Sequence, residues 1–495
     1  MKSKLTVTLA CSVALSAVLF GATGYSKPAQ QQNAAADTAA RSYLIAFTGS
    51  LPANYGDTIA KAGGQVVRAM PELGGLEVRS ADPGFLTNLK SVKGIQAANL
   101  ELSHKLTDGL SEPAAADGQP VTDIPQDSPT FWPYQWDMQR LTHNGDSYKL
   151  ETGGTTLPDG TVKHKAVVGV IDSGIDSNHP DLKRNFLGGM NFVPAGVDDS
   201  EKGDPADIRD REGHGTHVAG SIAANGRLKG VGPDLGIRSY RVFPEAGSAP
   251  TSWITAAIVQ AANDKVDVIN MSIGGFDAIS RYTFQGEGSY SDVADLLLWK
   301  RAVRYAVDHN VTVVAAAGNE TLNLSNPTDI TDYMNAAYGD LGLTFRGASK
   351  EVPGQTPGVI TVSSSIKWST DQIAFYSNYG ASAIDVAAPG GDNGPVYAAT
   401  GDLSKRDFHF RSLSTYPTYL APYFTSNLTG YALMHGTSMA SPKVAGIAAL
   451  VKAAHPDFNP SQVAARIRQT SLDYGKPGQD ALFGSGEANA YTALK

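Results

Sequence analysis

The sequence predicts an α/β protein: a doubly wound, mostly parallel sheet flanked by helices, preceded by a small α+β unit. Three observations predict it. Short, nearly unbroken apolar runs at residues 167–171, 266–271, 311–316, 359–362 and 384–387 have the character of strands buried on both faces. Helical stretches at 214–224, 253–263, 296–308 and 437–454 lie among and after them, which is the alternation a parallel sheet requires. A separate alternation of strand and helix signals fills residues 41–104.

The chain begins with Lys2 and Lys4, an apolar run over residues 5–20, and the small residues Ala22 and Gly24. This is the pattern of a secretory signal, assigned to residues 1–24, and it predicts an extracellular protein. A membrane anchor would need about 20 apolar residues. No second run of that length is expected to hold the protein in a membrane after signal removal, and no further module or anchor is expected after the last helix. Cys11 is the only cysteine and lies in the signal. The mature chain therefore has neither thiol catalysis nor disulfides.

A polar, Ala- and Gln-rich spacer covers residues 25–40. In 41–104, strands near 43–47, 66–69, 76–78 and 95–100, with helices after the first strand and around 85–89, give β-α-β-β-α-β order, a ferredoxin-like unit. Residues 105–128 are rich in Pro, Asp, Ala and Gly and are expected to form an exposed linker. The main domain then runs over 129–495, without internal repeats. A formal net charge of −8 in 495 residues argues against nucleic acid and anionic membranes as partners.

Ligands of doubly wound sheets bind beyond the carboxyl ends of the strands. The 167–171 run ends in Asp172 within VVGVIDSGID, and the 311–316 run leads to Gly318 and Asn319 within VVAAAGNE. His214 opens a helix in GHGTHVAG and Ser438 opens another in GTSMASPKVAG. A serine hydroxyl needs a base to take its proton, and an imidazole titrating near pH 6.5 supplies one. A buried aspartate orients that imidazole and stabilises its cation. The Asn319 amide and the Ser438 backbone N–H suit the oxyanion of a tetrahedral intermediate. Taken singly, each residue reads as a turn, a cap or a loop residue; their joint occurrence in four long motifs carries the reading. Activity is expected to fall as His214 is protonated, roughly below pH 6–7.

The segments DSGID, HGTHVAG, AAAGNE and GTSMASPKVAG, in the order Asp, His, Ser, resemble the signature segments of the subtilase family. The resemblance implies peptide-bond hydrolysis through an acyl-enzyme on Ser438, with protein or peptide substrates. Residues 41–104 resemble the family's propeptide, an intramolecular chaperone and inhibitor removed by self-cleavage. MSIGG, residues 271–275, resembles the family's substrate-binding strand, where an extended peptide adds through backbone groups of Ser272 and Gly274. Gly274 and Gly275 permit close backbone approach, and a plain tight turn after a strand is as good a reading of the residues alone. Residues 315–318, including Ala316 and Gly318, would wall the primary specificity pocket.

Departures from the family pattern shape the remaining expectations. The segment AANGRLKGVG after the His214 helix is shorter than the loop of the family's strong calcium site. Asp181 matches a residue that often ligates that calcium, yet most of its partners are missing. No cofactor is required for the chemistry, and structural calcium remains unassigned. His435 and Lys443 flank the nucleophile where the family often has other residues. Insertions at 276–295, 320–355 and 401–430 are expected at the cleft rim, where they would set specificity. The last of these carries the aromatic residues Phe408, Phe410, Tyr416, Tyr419, Tyr423 and Phe424, for which plain packing is as good a reading as cleft lining.

His217 gives HxxH with His214, but zinc peptidases of that kind need HExxH, so a structural role is expected. Two rival readings stay open beside a broad endopeptidase: a maturation protease of narrow specificity, and an inert binding protein of the same fold. An α/β-hydrolase esterase is excluded by the residue order and the lack of G-x-S-x-G at Ser438. A monomer is the family default.

Overall fold

In the computed structural model the residues described are 40–106, 121, 123–245, 247–284, 287–422 and 428–495. The expected signal, nearly all of the spacer and much of the linker lie outside them, as do Tyr423 and Phe424. No helix among the described residues is long and apolar enough to cross a membrane.

A seven-stranded sheet forms the centre. Its order is Val386–Pro389, Val359–Ser365, Thr312–Ala316, Val268–Met271, Val167–Asp172, Gly236–Arg241 and Phe186–Asn191, and every neighbouring pair is parallel. Side chains alternate across the two faces of each strand. Val168, Val170, Val268, Val314 and Ile360 point to one side, where Val218 and Ile222 of helix His214–Ala223 and Val444, Ile447 and Leu450 of helix Thr437–Ala454 cover them. Ile171, Ile269, Met271, Val313 and Ala315 point to the other, under Trp253, Ile254 and Ile258 of helix Thr251–Asn263 and Leu298, Trp299 and Val303 of helix Val293–Asp308. The core is thus two apolar layers with the sheet between them, and the expected doubly wound architecture is observed.

Residues 41–100 form a four-stranded antiparallel sheet, order Gln65–Met70, Gly75–Ser80, Arg41–Phe47, Ile95–Leu100, with helices Tyr55–Lys61 and Phe85–Leu89. Tyr43, Ile45, Phe47, Leu76 and Val78 meet those two helices through Ile59, Phe85 and Leu89. Leu44, Ala46, Met70 and Leu73 turn the opposite way and join the core layer beneath helices Thr251–Asn263 and Val293–Asp308.

Polar side chains of the small unit then cap those two helices. Glu101 accepts from the Ser252 N–H at 3.0 Å, and Asn99 Oδ1 accepts from the Ala294 N–H at 2.7 Å. Glu77 accepts from the Ser252 hydroxyl at 3.0 Å. Acceptors at helix N-termini satisfy otherwise unpaired N–H groups and complement the helix dipole.

One expectation requires correction. The segment from 105 onward is not an exposed linker throughout: Ser103–Leu106 is a strand, and Val121 and Ile124 are buried in the main core at 4% and 1% exposure. Their apolar side chains gain more from burial than the polar composition of their neighbours suggests. The insertions at 276–295 and 320–355 pair with each other. Strand Ile273–Ala278 pairs with Ser349–Val352, and Arg281–Phe284 joins Glu287–Tyr290 to Leu343–Arg346 in one three-stranded sheet.

Candidate active site

Register sets the site. Met271 pairs with Ile171 on one side and with Ala315 on the other, so Asp172, Ser272 and Ala316 follow at one level at the carboxyl ends of three adjacent strands. Neighbouring strands are about 5 Å apart, so the three residues form a short row.

Asp172 is fully buried, and its Oδ1 lies 2.8 Å from Nδ1 of His214, which is also fully buried. The same oxygen accepts the Ser173 N–H at 2.7 Å. A carboxylate at Nδ1 places the imidazole proton there and leaves Nε2 as the basic nitrogen. Close approach of the helix requires glycine at its second residue. A β-carbon on Gly215 would stand 2.1 Å from the Gly174 carbonyl oxygen and 3.1 Å from Asp172 Oδ1.

Asp210, which sequence reading missed, fixes the start of this helix. Its Oδ1 accepts from Gly213 N at 2.7 Å and from the Ser173 hydroxyl at 2.9 Å. Its Oδ2 accepts from Thr216 N at 2.9 Å and the Thr216 hydroxyl at 2.6 Å. One carboxyl therefore ties the exit of the Asp172 strand to the first turn of the His214 helix. Burial raises its pKa, against the pull of these donors. An acidic residue shortly before a helix start was the available signal.

Ser438 opens helix Thr437–Ala454, and its Oγ lies 3.3 Å from the Ser272 carbonyl oxygen. The Ser272 hydroxyl donates in turn to the Ser438 carbonyl at 2.9 Å, and the Ser441 hydroxyl donates to Asn270 Oδ1 at 2.7 Å. Helix start and strand end are thereby locked together. Asn319 Oδ1 accepts both the N–H and the hydroxyl of Thr437, at 3.0 and 2.9 Å. This fixes which way the amide faces and turns its NH2 away from Thr437. Thr437, also missed, accepts the Gly318 N–H at 3.1 Å and so joins the Ala316–Gly318 wall to the nucleophile helix. Gly318 has φ +95°, the left-handed region that favours glycine.

The substrate-binding strand expected at 271–275 carries part of the chain's own sequence. Ser103–Leu106 lies antiparallel to it, with Ile273 opposite Leu106 and Gly274 opposite Lys105, and pairs on its other edge with Ala249 and Pro250. A β-carbon on Gly275 would stand 2.3 Å from His104 Nδ1. Gly275 thus needs to be glycine for this segment to dock.

The remaining residues fall into place around this frame. Lys443 is fully buried, 2.9 Å from Asp137 Oδ2, and donates to the Ser412 hydroxyl and the Met439 carbonyl at 2.9 Å each. It braces the nucleophile helix from the side. His435 is buried against Tyr376, ring centroids 5.0 Å apart. His217 directs Nε2 at the carbonyls of Ser412 and Ala432, at 3.2 and 3.1 Å, so that nitrogen carries the proton. Burial, with Lys443 and His214 adding to it, pushes its pKa down to about 3. It is a neutral structural imidazole.

The Asp181 carboxylate accepts the N–H groups of Arg227 and Leu228 at 3.1 and 2.9 Å. Among the described residues no group of three or more His, Cys, Asp or Glu side chains is placed to hold a metal ion. Phe408 lies in the main core, Tyr416 is buried beside Met434 and Met439, and the Tyr419 hydroxyl donates to the Asp210 carbonyl at 2.8 Å.

The subtilase family model matches residues 163–486. The nisin leader peptide-processing serine protease of Lactococcus lactis subsp. lactis is 35% identical over 339 residues, which are 67% of this chain and 46% of that protein. The chain thus spans under half the length of that relative. The epidermin leader peptide-processing serine protease of Staphylococcus epidermidis is 30% identical over 434 residues, covering 86% of this chain and 87% of the relative. Among solved structures, the epidermin leader peptide processing protease of Staphylococcus aureus superposes with a TM-score of 0.73 at 27% identity, covering 92% of this chain and 98% of its own. The matched region holds all four motifs, and the matched relatives are serine proteases. The chain belongs to the subtilase family and is by that membership a serine-type endopeptidase.

Proposed function

We propose that the protein is an exported endopeptidase of narrow specificity that matures an exported precursor peptide, and that it is made with its own inhibitor at residues 41–106. The observation that carries the catalytic part is the fully buried contact of Asp172 Oδ1 with His214 Nδ1 at 2.8 Å. Such a contact supports general-base catalysis at Nε2.

In the proposed reaction His214 takes the Ser438 proton as Oγ attacks the scissile carbonyl. Asp172 stabilises the imidazolium, and the carbonyl oxygen gains negative charge. The Asn319 NH2 and the Ser438 N–H donate to that oxyanion. Collapse breaks the peptide bond as His214 gives its proton to the leaving amine. Water, activated by the same imidazole, then hydrolyses the acyl-enzyme. The Ser438 hydroxyl must first turn its proton from the Ser272 carbonyl towards His214 Nε2.

Narrow specificity draws support from two relatives named as leader-peptide-processing proteases and from the paired insertions that extend the substrate strand. Self-inhibition draws support from Ser103–Leu106, which adds to the strand Ile273–Ala278 as a substrate would. The test is labelling of the secreted protein by a fluorophosphonate, with the modified peptide mapped by mass spectrometry. Labelling confined to Ser438 and blocked by peptide substrate is the expected result. Absence of labelling after removal of residues up to 106 would count for an inert binding protein.

A further inference from the structure

His104 enters a pocket lined by carboxyl groups. It is buried at 2% exposure, its Nε2 lies 2.8 Å from the Thr251 hydroxyl, and its ring meets Trp299 edge-on at 5.4 Å. The Thr251 hydroxyl donates to Asp295 Oδ1 at 2.7 Å, and Asn99 Nδ2 donates to Asp295 Oδ2. Asp295 and Trp299 are one turn apart on helix Val293–Asp308, so both face His104. On the opposite wall, side chains of strand Ile273–Ala278 alternate, which places Asp277 on the face where Gly275 meets His104. Asp277 is fully buried, and neither of its carboxyl oxygens has a hydrogen-bond partner. Asp292, also fully buried, accepts the Ala278 N–H at 2.7 Å.

Three buried carboxyl groups thus share one pocket, and among the described residues none is in an ion pair. The nearest charges to Asp277 otherwise are Glu351, which adds to the repulsion, and Lys350, its cross-strand neighbour, which opposes it. A folded chain gains nothing from an unpartnered buried acid, so Asp277 calls for an occupant. His104 does not supply the missing charge: burial pushes its pKa down to about 4, leaving a neutral imidazole at neutral pH. The chain's own segment therefore fills the pocket without neutralising it, which suits an occupant that has to leave.

Resting on the endopeptidase reading above, we propose that this pocket is a specificity subsite for a cationic side chain, Lys or Arg, on the substrate residue that takes His104's place in the substrate strand. When the segment departs, the pocket opens to the cleft, its carboxyl groups ionise, and a Lys or Arg head makes charge-assisted hydrogen bonds to Asp277 and Asp295. A neutral side chain of equal length would instead bury those groups unpaired.

The test uses the secreted chain after maturation and fluorogenic peptides in which Lys, Arg or the uncharged norleucine is placed at each acyl-side position in turn. A preference of ~10-fold or more in kcat/KM for the cation over norleucine is expected at one position only. In Asp277→Asn that ratio falls to within about 3-fold of unity, and Asp295→Asn moves it in the same direction. Norleucine equal to or better than Lys at every position would overturn the proposal, as would a ratio unmoved by both substitutions. The wild-type ratio needs no variant, so a failure of Asp277→Asn to fold leaves the proposal open to refutation. Fluorophosphonate labelling separates the two levels. A chain that labels and cuts but shows no cation preference refutes the subsite alone. One that neither labels nor cuts refutes the endopeptidase reading and the subsite with it.

Discussion

Gly275 and His104 approach so closely that a single methyl group on the glycine would stand 2.3 Å from the imidazole Nδ1. That contact joins the strand expected to bind substrate to the segment that follows the small N-terminal unit. Gly275→Ala is therefore expected to weaken both kinds of docking. An overpacking penalty of about 1–3 kcal/mol corresponds to roughly a 5- to 150-fold loss in kcat/KM. In the Ser438→Ala background, limited proteolysis should also release residues 41–106 faster than in the parent. Unchanged kinetics and unchanged proteolysis would show that nothing docks there.

Asp172→Asn keeps the volume of the buried carboxyl but removes its charge and its preference for a proton on His214 Nδ1. The expected loss is about 10⁴-fold in kcat. Thermal unfolding of the same variant controls for damage to the fold. A loss of less than tenfold in kcat would mean that His214 does not depend on Asp172.

Asn319 and Thr437 should act through kcat with little change in KM, because an oxyanion exists only along the reaction path. Asn319→Ala is expected to lower kcat by about 10²- to 10³-fold. Thr437→Val removes only the hydroxyl that orients the Asn319 amide at 2.9 Å, and a loss of roughly 3- to 10-fold is expected. A rise in KM at constant kcat for either variant would assign them to ground-state binding instead.

Asp210 is expected to matter for stability as much as for rate. It accepts five hydrogen bonds while fully buried, and Asp210→Ala leaves Glu212 N, Gly213 N, Thr216 N and two hydroxyls without that acceptor. A loss of about 3–5 kcal/mol is expected in urea unfolding. A loss below about 1 kcal/mol would show that water replaces the carboxyl at no cost.

Burial raises the pKa of Asp295 to about 7, with Asp292 adding to the shift. The folded chain therefore holds a proton on Asp295 that the unfolded chain loses near pH 4. The stabilising contribution of that proton is complete at low pH and is lost as pH rises through about 7. Asp295→Asn, compared with its parent in full-length Ser438→Ala protein, should gain relative stability between pH 5 and about pH 8. A difference that shrinks with rising pH would contradict the protonated state.

Much of this was readable in the sequence, and the exceptions have physical causes. Strands with unbroken apolar runs, such as Val167–Asp172 and Thr312–Ala316, were legible because both their faces are buried. Gly236–Arg241 was not. Its Arg241 is buried against Glu201 and its Tyr240 hydroxyl donates to Asp264 at 2.8 Å, so a central strand carries polar residues satisfied by partners far away in sequence. Phe186–Asn191 lies at the sheet edge, where two glycines and partial exposure dilute the pattern. Asp172, His214, Asn319 and Ser438 stood out because each sits in a long motif. Asp277 and Asp295 did not, since only the pairing of Ile273–Ala278 with Ser349–Val352 and the docking of His104 bring them to one pocket.

The central claim is that Ser438 is the nucleophile of an endopeptidase that frees itself from its own N-terminal unit. It is tested most directly by expressing the wild-type chain beside Ser438→Ala, following each by intact mass and by cleavage of a fluorogenic peptide library. The account predicts that only the wild type loses the 41–100 unit and only the wild type cuts peptides, while Ser438→Ala stays joined to that unit. Equal maturation and equal cleavage by both proteins would place the chemistry elsewhere and contradict it.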